Sequence, residues 1–349
     1  MSKKGHLLVV IAILVALTGV FTVSAQDAVE VELGEITQRI IDRGELICGA
    51  NQNLVGFGFV NDAGEFEGFD VDTCRAVAAA ILGDATAVSF RPLTGAERQA
   101  AIQGGEIDMM SRNTTWTLSR DVVWGSIFGP TTFYDGQGIG TRADLGVTTG
   151  MELDGASICV QTGTTTELNI ADWVSANGLD IGIQVYPDAN STWEAFVSGS
   201  CEAWTTDKSG IAAFHATSED PGALVILPDT LSKEPLGPLS PAGDEQFAEI
   251  IAWTVFGLIT AEEEGITSEN IDEFLDSEDP SIGRLLGIGD NISGEYLGLE
   301  NDFMVEVIRQ VGNYGEIYER NLAPLGLSRD GSVNALWNNG GLIYAPPFR

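Results

Sequence analysis

Positive charge is scarce in this chain of 349 residues: 17 lysines and arginines stand against 51 aspartates and glutamates, a formal net charge of −34. A surface of that sign repels phosphates and anionic lipid headgroups, so nucleic acid and membrane surfaces are poor partners. Histidine is nearly absent, with only His6 and His215, and no Cys-x-x-Cys spacing occurs. A zinc site therefore lacks its usual ligands. Gly-x-Ser-x-Gly, His-Glu-x-x-His and Walker loops are also missing, which removes the commonest hydrolase, metalloprotease and nucleotide-binding signatures. No cofactor is expected. A second apolar run of membrane-spanning length is lacking as well, so the mature chain is expected to be soluble. The shortage of positive charge does not mean disorder, because 44% of the residues are hydrophobic and a disordered acidic chain is apolar-poor.

What is present begins with Lys3 and Lys4, the apolar run Leu7–Val23, and the small-residue site Val23-Ser24-Ala25 before Gln26. A charged start, an apolar middle and a small-residue end predict a cleaved signal peptide over residues 1–25 and a periplasmic protein. An uncleaved anchor is the alternative reading of the same run. About 320 residues remain, enough for two domains. Four cysteines follow, Cys48, Cys74, Cys159 and Cys201. An even count in an exported chain reads as two disulfides, with three pairings possible. Cys48–Cys74 and Cys159–Cys201 are expected, because each stays within one lobe of the organisation described next. A salty habitat, where a carboxylate surface keeps protein in solution, would account for the charge.

Strand and helix signals alternate. A strand over Glu45–Asn51 is followed by a helix from Gly68 to about Leu82, capped by Asp70, with Val71, Cys74, Val77, Ala78 and Ile81 on one face. A strand Val88–Leu93, a helix Ala96–Gln103 and a strand Ile107–Met110 complete a first unit. A second unit has strands Ser157–Gln161, Ile183–Tyr186, Glu202–Thr206 and Leu224–Leu227 between helices. The alternation predicts mostly parallel α/β sheets. Crossings near Phe133–Gly138 and Lys233–Pro238 divide the chain into a first lobe (36–134), a second lobe (135–236) and a return (237–349). The return carries amphipathic helices over Asp244–Glu264 and Glu300–Val311, then a Gly-, Asn- and Pro-rich tail, Trp337–Arg349, expected to lie extended over the surface.

The chemistry concentrates in Ser111-Arg112-Asn113-Thr114-Thr115-Trp116-Thr117-Leu118-Ser119-Arg120-Asp121. A loop of this spacing aims the Asn113 carbonyl, the Thr115 hydroxyl and the Arg120 guanidinium at one point, and the planar fork of an arginine suits a carboxylate. The bland alternative is a solvated Arg120 paired with Asp121, worth under about 1 kcal/mol. Thr164 and Thr165, in a Gly/Thr loop that opens a helix, offer either an anion site or ordinary capping. Asn51 and Asp207 end strands at their carboxyl ends, where open α/β sheets place ligands. Asp207 either caps the next helix or holds an ammonium. Arginine on one lobe and aspartate on the other would hold a zwitterion in the cleft between them.

Gly68-Phe69-Asp70-Val71-Asp72, the Thr115-to-Arg120 spacing, Gln161-Thr162-Gly163-Thr164-Thr165-Thr166-Glu167 and Thr206-Asp207 resemble the periplasmic amino-acid-binding proteins of polar amino acid ABC importers. Ser111–Thr117, Tyr134–Gly138, Ser232–Pro238, Gln310–Glu316 and Ala335–Asn338 are similar to the general L-amino-acid-binding branch of that family. The resemblance covers nearly all of the mature chain. It implies a two-lobed, type II Venus-flytrap fold with two hinge crossings, and a monomer that hands free L-amino acids to a membrane permease. Arg120, Thr115 and the backbone at Thr165 would bind the α-carboxylate, and Asp207 with the Asn113 carbonyl the α-amino group. Glutamine-type relatives often carry an acid at the position of Asn51, an aromatic near Thr94-Gly95 and a lysine at Gln161. The neutral residues here imply a roomy side-chain pocket and broad specificity. The rival is a dehydratase-type enzyme on the same fold, acting on a cyclic amino acid; it needs a positioned acid or base, for which Asp207 and Glu167 are the candidates.

Overall fold

Leu46–Ala50 is an interior strand of the first lobe's sheet in the computed structural model, which describes residues 31–349. The expected signal peptide lies outside the described residues. Leu46, Cys48 and Ala50 are fully buried, as an apolar strand covered on both faces requires. The strand runs parallel to Val88–Pro92 on one side and to Met109–Met110 on the other. Two antiparallel strands, Leu239–Pro241 and Ser126–Phe128, complete the sheet.

The second lobe repeats the plan. Ser157–Gln161 lies between the parallel strands Gly182–Tyr186 and Ala203–Asp207, and Gln137–Arg142 and Leu224–Ile226 close the sheet antiparallel. Each sheet is thus parallel in one half and antiparallel in the other, where mostly parallel sheets were expected. The reason is connectivity: Gln137–Arg142 and Leu239–Pro241 enter their sheets directly from the other lobe, without the crossover helix that makes neighbours parallel. Phe133–Asp135 and Glu234–Leu236 pass between the lobes side by side as an antiparallel pair.

The helix Phe69–Leu82 is buried on nearly every side rather than on one face. Phe69, Val71, Cys74, Val77 and Ala78 are at most 1% exposed. The sheet covers one side, and the helices Glu245–Glu263 and Phe303–Val311 of the return cover the other. Small side chains at Ala76, Ala78, Ala79 and Ala80 let those helices approach closely. The disulfides Cys48–Cys74 and Cys159–Cys201 each tie an interior strand within its own lobe, the pairing expected from the lobe assignment.

The tail runs over the surface, as expected, with Trp337, Leu342 and Tyr344 exposed, but a few of its apolar side chains pin it down. Leu336, Ile343 and Phe348 are buried in the first lobe's core; isolated apolar residues among glycines and asparagines carry no periodicity, so their burial left no pattern to read. Arg329 anchors this region, stacked 5.1 and 5.2 Å from the rings of Tyr314 and Tyr318 and paired with both carboxylate oxygens of Glu262. Just beyond, Asn334 hydrogen-bonds both backbone groups of Tyr134, accepting at 2.7 Å and donating at 2.9 Å. The segment leading into the tail therefore grips a strand that passes between the lobes. No described helix is long and apolar enough to cross a membrane.

Candidate ligand-binding cleft

The loop 111–117 turns sharply at Asn113, whose φ of 33° makes it the one non-glycine residue with positive φ among the described residues. Asparagine tolerates this conformation better than most side chains. Asp70 holds the turn: its carboxylate accepts the Asn113 N–H at 2.6 Å and the Ser111 hydroxyl at 3.3 Å. Contrary to the expectation from sequence, Asp70 does not cap its helix; Gly68 occupies the N-cap position and no side chain caps there. Burial pushes the Asp70 carboxyl up to about 6, against the pull of the Asn113 N–H, the Ser111 hydroxyl and Arg112.

Past the turn, Thr117 caps the short helix Leu118–Val123. Arg120 folds back from that helix, donates to the Thr115 carbonyl at 3.0 Å and lies 5.0 Å over the Trp124 ring. It is 6% exposed and pairs with no carboxylate among the described residues. Burial lowers its pKa while Glu234 and Asp207 raise it from a distance. A buried guanidinium with spare donors and no counter-ion is a receptor for an anion.

On the second lobe, Thr164 caps the helix Thr165–Asn177, accepting the Glu167 N–H at 3.1 Å and donating to the Gln161 carbonyl at 2.7 Å. Thr165, one residue on, donates to Glu234 at 2.8 Å, and its hydroxyl comes within 3.4 Å of the Thr115 hydroxyl across the cleft. Asp207 stands at the N-cap position of Lys208–Ala216, yet its side chain makes no capping bond. Its carboxylate is instead buried in the cavity wall, and burial, then Asp135 and Glu234, push its pKa well above the usual carboxylate range. Asn51, at the end of its strand, donates to the Asn113 side chain at 3.3 Å.

All seven residues singled out from sequence, Asn51, Asn113, Thr115, Arg120, Thr164, Thr165 and Asp207, line one cavity between the lobes, with about 590 Å³ of empty space including its mouth. Trp204 and Phe214 supply an apolar wall. The lobes touch across it. Arg98 donates to Gly95 on its own side at 3.1 Å and to the Gly163 carbonyl of the other lobe at 3.1 Å. A Cβ at Gly95 would come within 3.0 Å of the Thr162 carbonyl, so glycine there permits the contact. The arrangement is a closed cleft.

Sequence reasoning missed the rest of the charge. Arg98 and Arg112 line the cavity beside Arg120, at 2% and 5% exposure. Asp135 and Glu234, on the two strands that pass between the lobes, stand behind Asp207. Burial, opposed by hydrogen bonds from Ser209 and Gly136, pushes Asp135 up to about 6. The expectation of neutral walls therefore fails at Arg112. Cations line the first-lobe side, and on the opposite side Asp207 lines the cavity, with Asp135 and Glu234 near enough to raise its pKa. Such a dipolar cleft suits a zwitterion. The available signal was rarity: in so acidic a chain, an arginine embedded among small or apolar neighbours is conspicuous.

Residues 46–276 match the model of the bacterial extracellular solute-binding proteins, family 3. The chain is similar to the general L-amino acid-binding periplasmic protein AapJ of Rhizobium johnstonii, at 48% identity over 88% of this chain and 91% of that protein. Identity to the glutamate/glutamine/aspartate/asparagine-binding protein BztA of Rhodobacter capsulatus is 46%, over 88% of this chain and 91% of that protein. A solved periplasmic binding protein from Brucella ovis, with glutathione bound, superposes with a TM-score of 0.87 at 46% identity, covering 90% of this chain and 99% of that one.

Proposed function

The chain belongs to the bacterial extracellular solute-binding proteins of family 3, and on that premise we propose that its cleft holds an L-amino acid by the two charged ends of its backbone. It is an amino-acid-binding component of an ABC importer. In our reading Arg120 takes the α-carboxylate with the Thr115 hydroxyl and the Thr165 backbone, and Asp207 takes the α-ammonium with the Asn113 carbonyl. Thr164 fixes the start of the helix that presents Thr165, and Asn51 lines the side-chain end. The observation that carries the assignment is the pair of buried ionisable side chains without a salt-bridge partner, Arg120 on one lobe and Asp207 on the other, facing one cavity.

Each ionised end of the ligand supplies the counter-ion that its receptor lacks, and both lobes must close to provide them. Ligand therefore favours the closed state by its differential affinity. The closed protein, exported to the periplasm and acting as a monomer, then docks on the membrane permease. The enzyme reading draws no support from the relatives, each of which is named as a binding protein.

A thermal-shift screen of ligand-stripped mature protein against the twenty amino acids, sugars and dicarboxylates tests the reading. Binding to the native state raises the free energy of unfolding by about RT ln(1 + [L]/Kd), and the melting temperature rises with it. Stabilisation by L-amino acids and not by sugars is expected. Stabilisation only by sugars or by acids lacking an amine would overturn it.

A further inference from the structure

With one carboxylate of the ligand on Arg120 and its ammonium on Asp207, the cavity still holds two guanidiniums. Their hydrogen bonds separate them. Arg98 is occupied: its Nε reaches the Gly95 carbonyl at 3.1 Å, Nη1 the Thr114 hydroxyl at 3.5 Å and Nη2 the Gly163 carbonyl at 3.1 Å. Arg112 is not. Its Nε donates to the Leu93 carbonyl at 2.8 Å and Nη1 reaches the Asn113 side chain only at 3.5 Å, which leaves most of the guanidinium edge without a protein acceptor. No carboxylate pairs with it within 4.0 Å among the described residues.

Its position matters as much as its charge. Arg112 lines the main cavity and also a side pocket that shares Asn51, Gln161 and Ala189 with it. It therefore stands where the cleft runs on past the groups assigned to the amino acid's backbone, at the place a side chain must enter. The polar neighbours shared by both spaces are amides, Asn51 and Gln161, which accept or donate equally and do not select charge. Two carboxylates, Glu97 and Asp188, line only the side pocket, and both are engaged, Glu97 by the Thr94 N–H and hydroxyl and Asp188 by the Ser191 N–H. Arg112 alone among them prefers an anion. Burial lowers its pKa to about 10, with Asp70 raising it and Arg120 lowering it, so it is cationic at neutral pH.

We propose that Arg112 is a second carboxylate receptor, and that it makes α-amino dicarboxylic acids preferred ligands over their amides of the same shape. This rests on the amino-acid reading of the cleft given above. A buried guanidinium gains a charge-assisted, two-bond contact with a side-chain carboxylate, and only a neutral contact with an amide.

The test is isothermal titration of stripped wild-type protein, Arg112→Gln and Arg112→Lys with L-glutamate and L-glutamine at low and moderate salt. Wild type should favour glutamate. The ratio of glutamate to glutamine affinity should fall at least thirtyfold in Arg112→Gln, and less in Arg112→Lys, which keeps the charge without the fork. A ratio that stays within threefold overturns the proposal, whatever happens to the absolute affinities, since a merely structural arginine would weaken both ligands together. Should Arg112→Gln not fold, the wild-type ratio still decides, because glutamine binding as tightly as glutamate overturns the preference. Wild type that binds glutamine but not glutamate defeats this inference and leaves the amino-acid reading standing. Wild type that binds no amino acid defeats both.

Discussion

Replacing Arg120 with alanine removes a guanidinium that is 6% exposed, bonded to the Thr115 carbonyl at 3.0 Å and lying over Trp124. A ligand carboxylate would then be buried without its fork. Truncating one member of a buried, hydrogen-bonded charge pair costs about 2–5 kcal/mol, which is a loss of about 30-fold to 5,000-fold in affinity. Arg98 and Arg112 remain nearby and compensate part of the charge but none of the geometry, which places the expected loss toward the lower end. Arg120→Lys should fall between wild type and alanine, because an ammonium keeps the charge and loses the two parallel bonds. Loss of the contact with Trp124 bears on stability, by about 0.5–1 kcal/mol, so the melting temperature of each apo variant must be measured beside its titration. Isothermal titration with a tightly bound amino acid, on protein refolded to strip carried-over ligand, reads the effect. An Arg120→Ala protein that folds and binds within threefold of wild type would remove Arg120 from the site.

Asp207→Asn should weaken an amino acid at least tenfold while leaving its amine-free analogue little affected; equal losses for the two would argue that Asp207 shapes the lobe rather than holding the ammonium. Asp70 titrates at about 6 in the folded chain against an ordinary value of 3.8, so its protonation stabilises the fold. That contribution, at most about 3 kcal/mol, is fully present below about pH 4 and is lost as pH rises through about 6. Asp70→Asn should therefore flatten the dependence of melting temperature on pH between 4 and 7, and an unchanged slope would refute the assignment. Raising NaCl should raise the wild-type melting temperature, because screening relieves repulsion in a chain of net charge −34; a flat response would sink the idea of a salt-adapted surface.

Much of the architecture was legible because it follows from local rules. Strand carboxyl ends pointed to Asn51 and Asp207, the capping threonines marked the helix at Thr165, and cysteine parity with the lobe division paired the disulfides. What stayed hidden depends on residues distant in sequence. Ser126–Phe128 and Leu239–Pro241 are three-residue strands, too short to show alternation, and only their pairing makes them strands. Asp70 has the sequence position of a helix cap, and the Asn113 turn, 43 residues on, recruits it instead. Arg112 sat inside the stretch first singled out, but a side chain's partners, and the lack of them, are properties of the assembled cleft. Rarity of positive charge was the one sequence feature that pointed to it.

The central claim is that both charged ends of an L-amino acid are held, one by each lobe. The most direct measurement is a titration of the stripped wild-type protein with L-glutamine, D-glutamine and the two analogues of glutamine that lack either the amine or the α-carboxylate. The L isomer should bind at least a hundredfold more tightly than each of the other three, because each of them leaves Arg120 or Asp207 buried and unmatched, or moves the side chain off its path. Binding of either truncated analogue within threefold of L-glutamine would contradict the claim.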